Sequence, residues 1–202
     1  MDEILLPKVQ PVFPVRCSGP TDKVAIVGFA YTTRDLAPYD DLSYEIWGLN
    51  EEYTIGSLRT KEGLPRWDRW FQCHQRWDFT RKGNGNDPRH FEWLQAQRPE
   101  SEGGFSIYMQ AHWDDIPASV PLDLDKLIAY SMGGPAGDDG YYTNSIAVLI
   151  AQAVLWGKKR IELYGVEMAS GTEWAYQKPC TEYHVGLARA HGVKVIFPET
   201  CQ

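Results

Sequence analysis

The chain has 202 residues, 43% of them hydrophobic and 23% charged, which is long enough for one domain with a full core. Its net charge of −7 argues against a general nucleic-acid coat or a polybasic membrane patch, leaving a local basic stretch around Arg66, Arg69, Arg76 and Arg81, so duplex nucleic acid is not an expected partner. Cys17, Cys73, Cys180 and Cys201 lack CxxC spacing and indicate neither a zinc knuckle nor a disulfide framework, and no apolar run nears the roughly 20 residues of a membrane span, so a soluble, cytoplasmic protein without a membrane partner is expected.

Residues 1–22 alternate apolar positions with prolines and cannot form a regular helix, so they read as an extended arm ahead of a single domain over 23–202. The arm either straps its own subunit or reaches across a neighbour in a homo-oligomer; the sequence leaves both open. From Lys23 the run VAIVGFA has the pattern of a strand buried on both faces, ending at Gly28. Tyr31, Thr32, Thr33 and Arg34 follow where a phosphate-cradling turn would sit, although one glycine is no GxGxxG and a dinucleotide of the NAD type is not expected. A second strand spans Tyr44 to Leu49, with Asn50 at its carboxyl end, able to offer donor and acceptor together or simply to cap a helix opened by Glu51 and Glu52.

Trp67, Trp70 and Phe71 belong to a third strand and its lead-in, with Cys73 and His74 near its end on opposite faces. Residues 83–88 read as a loop, His90 to Gln97 as a short helix, and Phe105 to Gln110 as another strand. A loop carrying His112, Asp114 and Asp115, read as a solvated turn, leads to a further short helix. The glycine-rich 131–140 is a candidate lid, with Asp138 and Asp139 as the acids that would recruit Mg²⁺.

The most informative stretch runs from Gly140 to Met168. Ile146, Leu149, Ile150, Ala153, Val154 and Trp156 recur at helical spacing, Gly157 supplies the left-handed stop, and Thr143, Asn144 and Ser145 occupy the cap, a plausible anion site. Ile161 to Val166 is a buried strand with Gly165, Glu167 and Met168 at its carboxyl end. After it, a loop from Met168 to Pro179 carries Glu173, Trp174, Tyr176, Gln177 and Lys178. Pro179 and Gly192 then bracket a helix, and Val193 to Phe197 is the closing strand. Strands alternating with helices predict an α/β fold, Rossmann-like, with a mostly parallel sheet covered by helices on both faces.

The blocks VAIVGFAYTTRDL, WGLN and TNSIAVLIAQAVLWGKKRIELYGVEM resemble the sialyltransferase-like Rossmann superfamily, which takes in bacterial sialyltransferases and hydroxymethylpterin pyrophosphokinase-like enzymes. With EWAYQ and GLARAHGVKVIFP, they look most similar to small proteins encoded by tailed bacteriophages, over about Lys23 to Pro198. The resemblance implies a nucleotide or nucleotide-sugar partner. It implies nucleotide contacts from Gly28 and the following turn with Tyr31 and Thr32, from Asn50, from Thr143, Asn144 and Ser145, and from the region of Gly165. Tyr176 would help hold the phosphate or leaving group. The family's Gly-Asn-Gly-Pro-Ser turn is replaced here by Gly28, Phe29, Ala30, Tyr31 and Thr32, and neither His184 nor His191 stands as a clear counterpart of its catalytic histidine.

Three readings follow. A transferase for a nucleotide-activated donor, glycosyl or pyrophosphoryl, would use Glu167 or Glu173 as base and Tyr176 beside the phosphate, with Mg²⁺ in the pyrophosphoryl case. A non-catalytic binder would sequester a signalling nucleotide without a positioned base. A structural or assembly protein would use the body as scaffold and the arm for contacts.

Overall fold

The computed structural model describes residues 7–80, 87–131, 140–167 and 173–199, and for 173–175 the backbone alone. Within these residues the strands are β1 (Lys23–Val27), β2 (Glu45–Leu49), β3 (Arg69–Gln72), β4 (Ser106–Met109), β5 (Ser119–Pro121), β6 (Arg160–Tyr164) and β7 (Lys194–Ile196). The helices are α1 (Arg76–Thr80), α2 (His90–Ala96), α3 (Leu124–Ser131), α4 (Ser145–Leu155) and α5 (Glu173–Ala190). All strand pairs are parallel, in the order β5-β4-β3-β2-β1-β6-β7. The chain winds outward from β1 to β5 and then crosses back to place β6 on the other side of β1. The winding direction therefore reverses between β1 and β6, and open α/β sheets place ligands at the carboxyl ends of the strands at such a reversal.

β1 and β2 are apolar on both faces because both faces are covered. Val24, Ile26, Trp47, Leu49, Phe71 and Leu163 pack with α4 and α5 on one side. Ala25, Val27, Ile46, Trp70 and Ile107 pack on the other with Trp93 and Leu94 of α2 and with Val9 and Val12 of the arm. Glu162, which interrupts the apolar run of β6, is buried but accepts hydrogen bonds from Tyr44 Oη at 2.7 Å, Arg160 Nε at 2.5 Å and the Tyr164 hydroxyl. Burial opposes its charge, and these donors outweigh it and hold the carboxyl below its ordinary value.

Residues 7–20 run extended along this chain's own body. Val15 N donates to Pro65 O at 2.7 Å, Val12 N to Gln97 Oε1 at 3.0 Å and Cys17 N to Asp68 Oδ1 at 2.5 Å. Asp68 is itself fixed by Arg66 Nη1 at 2.5 Å and by Ile46 N at 2.7 Å, so one buried carboxylate ties the strap to β2.

Several elements differ from the sequence expectation. Ser119–Pro121 is an edge strand rather than loop, too short and too proline-marked for a periodic signal. Arg76–Thr80, to which no helix was assigned, is helical. Glu51 and Glu52 open only a 3₁₀ turn, Glu52–Ile55, which Gly56 closes at φ 73°. α5 begins at Glu173, so Glu173 to Lys178 are helix and not loop, and Pro179 lies inside the helix. The loop at 83–86, residues 132–139 with Asp138 and Asp139, and residues 168–172 with Met168 lie outside the described residues. Among the described residues no helix is long and apolar enough to cross a membrane.

Candidate functional site

The carboxyl edge beside β1 is built on a pair of glycines. Gly28 N donates to Tyr164 O at 2.7 Å and Ala30 N to Gly165 O at 2.9 Å. A Cβ on Gly28 would stand 2.5 Å from Gly165 O, and one on Gly165, at φ 63°, would stand 2.3 Å from Gly28 O. Thr33, fully buried, accepts from Gly165 N through Oγ1 at 2.7 Å. The turn after β1 is thus stitched to the turn after β6, while Tyr31 is 77% exposed and Thr32 also faces solvent. Arg34 donates from Nη1 to Phe29 O at 2.8 Å, and its buried Nε has no hydrogen-bond partner, facing Asp35 at 3.6 Å.

One strand away, Asn50 is the non-glycine residue with positive φ among the described residues, 49°. Its backbone is held on both sides: N donates to Phe71 O at 2.8 Å, and O accepts from Trp70 Nε1 at 3.0 Å. Its side-chain Oδ1 is buried and has no partner. Just beyond it, Glu52 is fully buried and accepts from Leu49 N at 2.8 Å, and its Oε1 is unpartnered. Burial pushes this carboxyl well above its ordinary value, against the Leu49 hydrogen bond and the Arg34 charge. On the β6 side, Glu167 Oε1 is likewise buried and unpartnered among the described residues. Strands lie about 5 Å apart, so the ends of β2 and β6 flank Gly28 across about 10 Å.

The start of α4 completes this edge. Asn144 caps the helix, accepting from Ala147 N at 2.9 Å, and donates through Nδ2 to Gln177 O at 3.1 Å in the turn of α5 that holds Pro179. Its amide is therefore committed to joining two helices. Thr143 is exposed, and Ser145 is half-buried with its hydroxyl on the Cys73 thiol. Burial pushes that thiol up to about 12, with Ser145 opposing, so Cys73 is a neutral neighbour and not a nucleophile at neutral pH. Tyr176, on the first turns of α5, is 87% exposed. The side chain of Glu173 lies outside the described residues. His184 is buried on α5, its Nε2 donating to Tyr141 O at 2.7 Å and its ring stacked on Tyr142 at 4.6 Å. Burial lowers its pKa, so the ring is neutral.

Beside Cys73, a second feature went unread in the sequence. A cavity of about 500 Å³ lies over the ends of β3 and β4, walled by Gln75, Arg76, Trp77, Thr80, Gln110 and Trp113. Arg76 is neutralised by a bidentate pair with Asp115 at 2.8 and 2.6 Å and sits 4.6 Å from the Trp113 ring centroid. Gln110 Nε2 donates to Cys73 O at 2.7 Å, so the cavity shares Cys73 with the start of α4. Its residues are dispersed over Gln75 to Trp113; the dense Trp and Arg content of that region was the available signal.

No family model matches the chain, and no curated protein matches it. Two solved structures do, both sialyltransferases of Campylobacter jejuni. One is sialyltransferase CstII in complex with a substrate analogue, cytidine-5′-monophosphate, with TM-score 0.51, 13% identity, and coverage of 89% of this chain and 81% of that one. The other is an alpha-2,3-sialyltransferase in apo form, with TM-score 0.51, 13% identity, and coverage of 93% and 79%. The likeness is one of fold. At this identity it establishes a sialyltransferase-like arrangement of strands and helices, and leaves the chemistry to be argued from the residues.

Proposed function

We propose that this chain binds a nucleotide or nucleotide-sugar at the carboxyl edge above Gly28 and Gly165 and acts as a glycosyl- or pyrophosphoryl-transferase-like enzyme. Asn50 carries the reading. Its left-handed backbone fixes where the side chain points, and its buried amide oxygen, unpartnered among the described residues, is satisfied when a donor arrives. A base or ribose edge supplies such a donor. The fold likeness to a protein whose structure holds cytidine-5′-monophosphate supports the same ligand class.

Ser145 and Thr143, with the free N–H groups at the start of α4, would receive phosphate, the helix dipole favouring its charge. Glu167, with one oxygen unpartnered, is the base candidate, and Tyr176 is free to fold toward the leaving group. Glu173 and, for a pyrophosphoryl reaction, Mg²⁺ held by Asp138 and Asp139 remain part of the proposal. The neutral, aromatic and amide-lined cavity beyond Cys73 would take the acceptor. The YGVEM and EWAYQ blocks support a bacteriophage origin and action in the host cytoplasm.

Binding without transfer is the second reading, favoured by His184, which is fully buried with Nε2 donating to Tyr141 O, so its basic Nδ1 is shut away from substrate. Calorimetry with CMP, a CMP-sugar and ATP is expected to find at least one ligand. Asn50→Gly, which keeps the backbone geometry and removes the amide, should weaken it about tenfold, the worth of one charge-free polar contact left unmade, with no loss of thermal stability. No binding by any of the three defeats the proposal. With a sugar acceptor present, mass spectrometry then separates the two, since transfer gives CMP together with a glycosylated acceptor, whereas sequestration returns the CMP-sugar unchanged.

A further inference from the structure

A second cavity, of about 540 Å³, opens on the sheet face covered by α4, toward the free edge of the sheet, and is lined in part by Arg69, Tyr108, Leu122, Lys126, Gln152 and Trp156. Gln152 and Trp156 are four positions apart and share one stripe of α4 and its C-cap. Gln152 is only 4% exposed, and its side-chain amide has no hydrogen-bond partner among the described residues. The side chain lines the cavity, where its amide can pair with a ligand.

The charges around the cavity do not cancel. Arg69 donates from Nε to Glu45 Oε2 at 3.0 Å and from Nη1 to Tyr108 Oη at 2.6 Å, leaving Nη2 without a partner. The other oxygen of Glu45 accepts from Lys158 Nζ at 2.6 Å, so one buried carboxylate faces two cations. At the rim, Lys126 pairs with Asp123 at 2.7 Å. Of the charged residues that line the cavity itself, Arg69 and Lys126 face Asp123 alone, one positive charge in excess, in a chain whose net charge is −7. The walls are otherwise flat and apolar: Trp156 lies 4.7 Å from the Arg69 guanidinium, with Leu122 and Pro121 beside it.

We propose that this cavity is a binding site for a small aromatic carboxylate bearing a polar ring substituent, with its carboxylate on Arg69 Nη2 and Lys126 Nζ, its ring against Leu122 and Trp156, and its substituent on Gln152. The volume is much larger than an inorganic anion needs, and an inorganic anion would leave both the apolar wall and the Gln152 amide unused. The site is separate from the carboxyl edge and does not depend on the nucleotide reading.

The test titrates the isotope-labelled full chain with 4-hydroxybenzoate and follows the Trp156 indole N–H resonance, assigned with Trp156→Phe. A saturable shift is expected. Lys126, at 70% side-chain exposure, can be replaced without disturbing the core, and Lys126→Ala should weaken binding about fivefold, the scale of one screened charge. Gln152→Leu should weaken it comparably, and 4-hydroxybenzamide, of the same shape without the charge, should bind far more weakly. The proposal is overturned by no saturable shift, by an equal response to 4-hydroxybenzamide or to inorganic phosphate alone, or by parental affinity in both variants.

Discussion

Gly28 and Gly165 are glycines for each other's sake. Each would drive a Cβ into the other's carbonyl oxygen, at 2.5 and 2.3 Å, and those obstacles are backbone atoms with no rotamer to escape into. Gly28→Ala should therefore cost about 2–4 kcal/mol in urea unfolding, the range of overpacking and backbone strain combined. A loss under about 0.5 kcal/mol, typical of a surface substitution, would show that the two turns can part. Asn50 is constrained in the opposite sense. Nothing among the described residues completes its amide oxygen, and so its replacement by glycine is expected to alter binding and not folding. The sequence marks both positions as strand-terminal, but a glycine serving a phosphate and a glycine serving another backbone look the same until the partner turn is placed.

The junction between β3 and α2 predicts a pH dependence. Gln72 Nε2, which can only donate, bonds to His90 Nε2 at 2.5 Å, so His90 carries its proton on Nδ1 and donates to Tyr53 Oη at 3.1 Å, while Tyr53 donates to Asp87 Oδ2 at 2.8 Å. Burial lowers the His90 pKa from 6.5 to about 4, against the opposing charge of Asp87. With the folded value depressed, the stabilising effect is complete above pH 6.5 and is lost as pH falls toward 4, because the unfolded chain takes up the proton first. Unfolding free energy should fall over this window by up to about 3 kcal/mol, and His90→Gln should flatten that slope. A parental slope in the variant would assign it to other groups. His90 was legible only as the start of a helix. Its network depends on β3, the 3₁₀ turn and α2 meeting, which no local pattern encodes.

The strap bears on how the whole chain holds together. Asp68 accepts from Cys17 on the strap, from Ile46 on β2 and from buried Arg66, and Val9 and Val12 cover the face opposite α4. Removal of residues 1–17 should lower thermal stability strongly, since it leaves a buried carboxylate short of a donor and a core face wet, at a cost of several kcal/mol. Sedimentation of the same variant addresses the alternative: a fall in mass with unchanged stability would mean that the arm works between subunits.

The α/β class, the two central strands, α4 with its cap among Thr143, Asn144 and Ser145 and its Gly157 stop, and the placing of Gly28, Asn50, Ser145 and Gly165 at strand and helix ends were all readable from local patterns. They depend on periodicity, caps and turn residues, which are properties of neighbours in the chain. The rest required tertiary structure. β5 is too short for a period; α5 overran a proline that marks a helix start in isolation; and the contact between Gly28 and Gly165, the unmet atoms of Asn50 and Glu167, and the excess charge beside Trp156 are relations between residues distant in sequence. Whether a polar atom is satisfied, or a charge balanced, depends on everything packed around it, and that is settled only when the sheet is assembled.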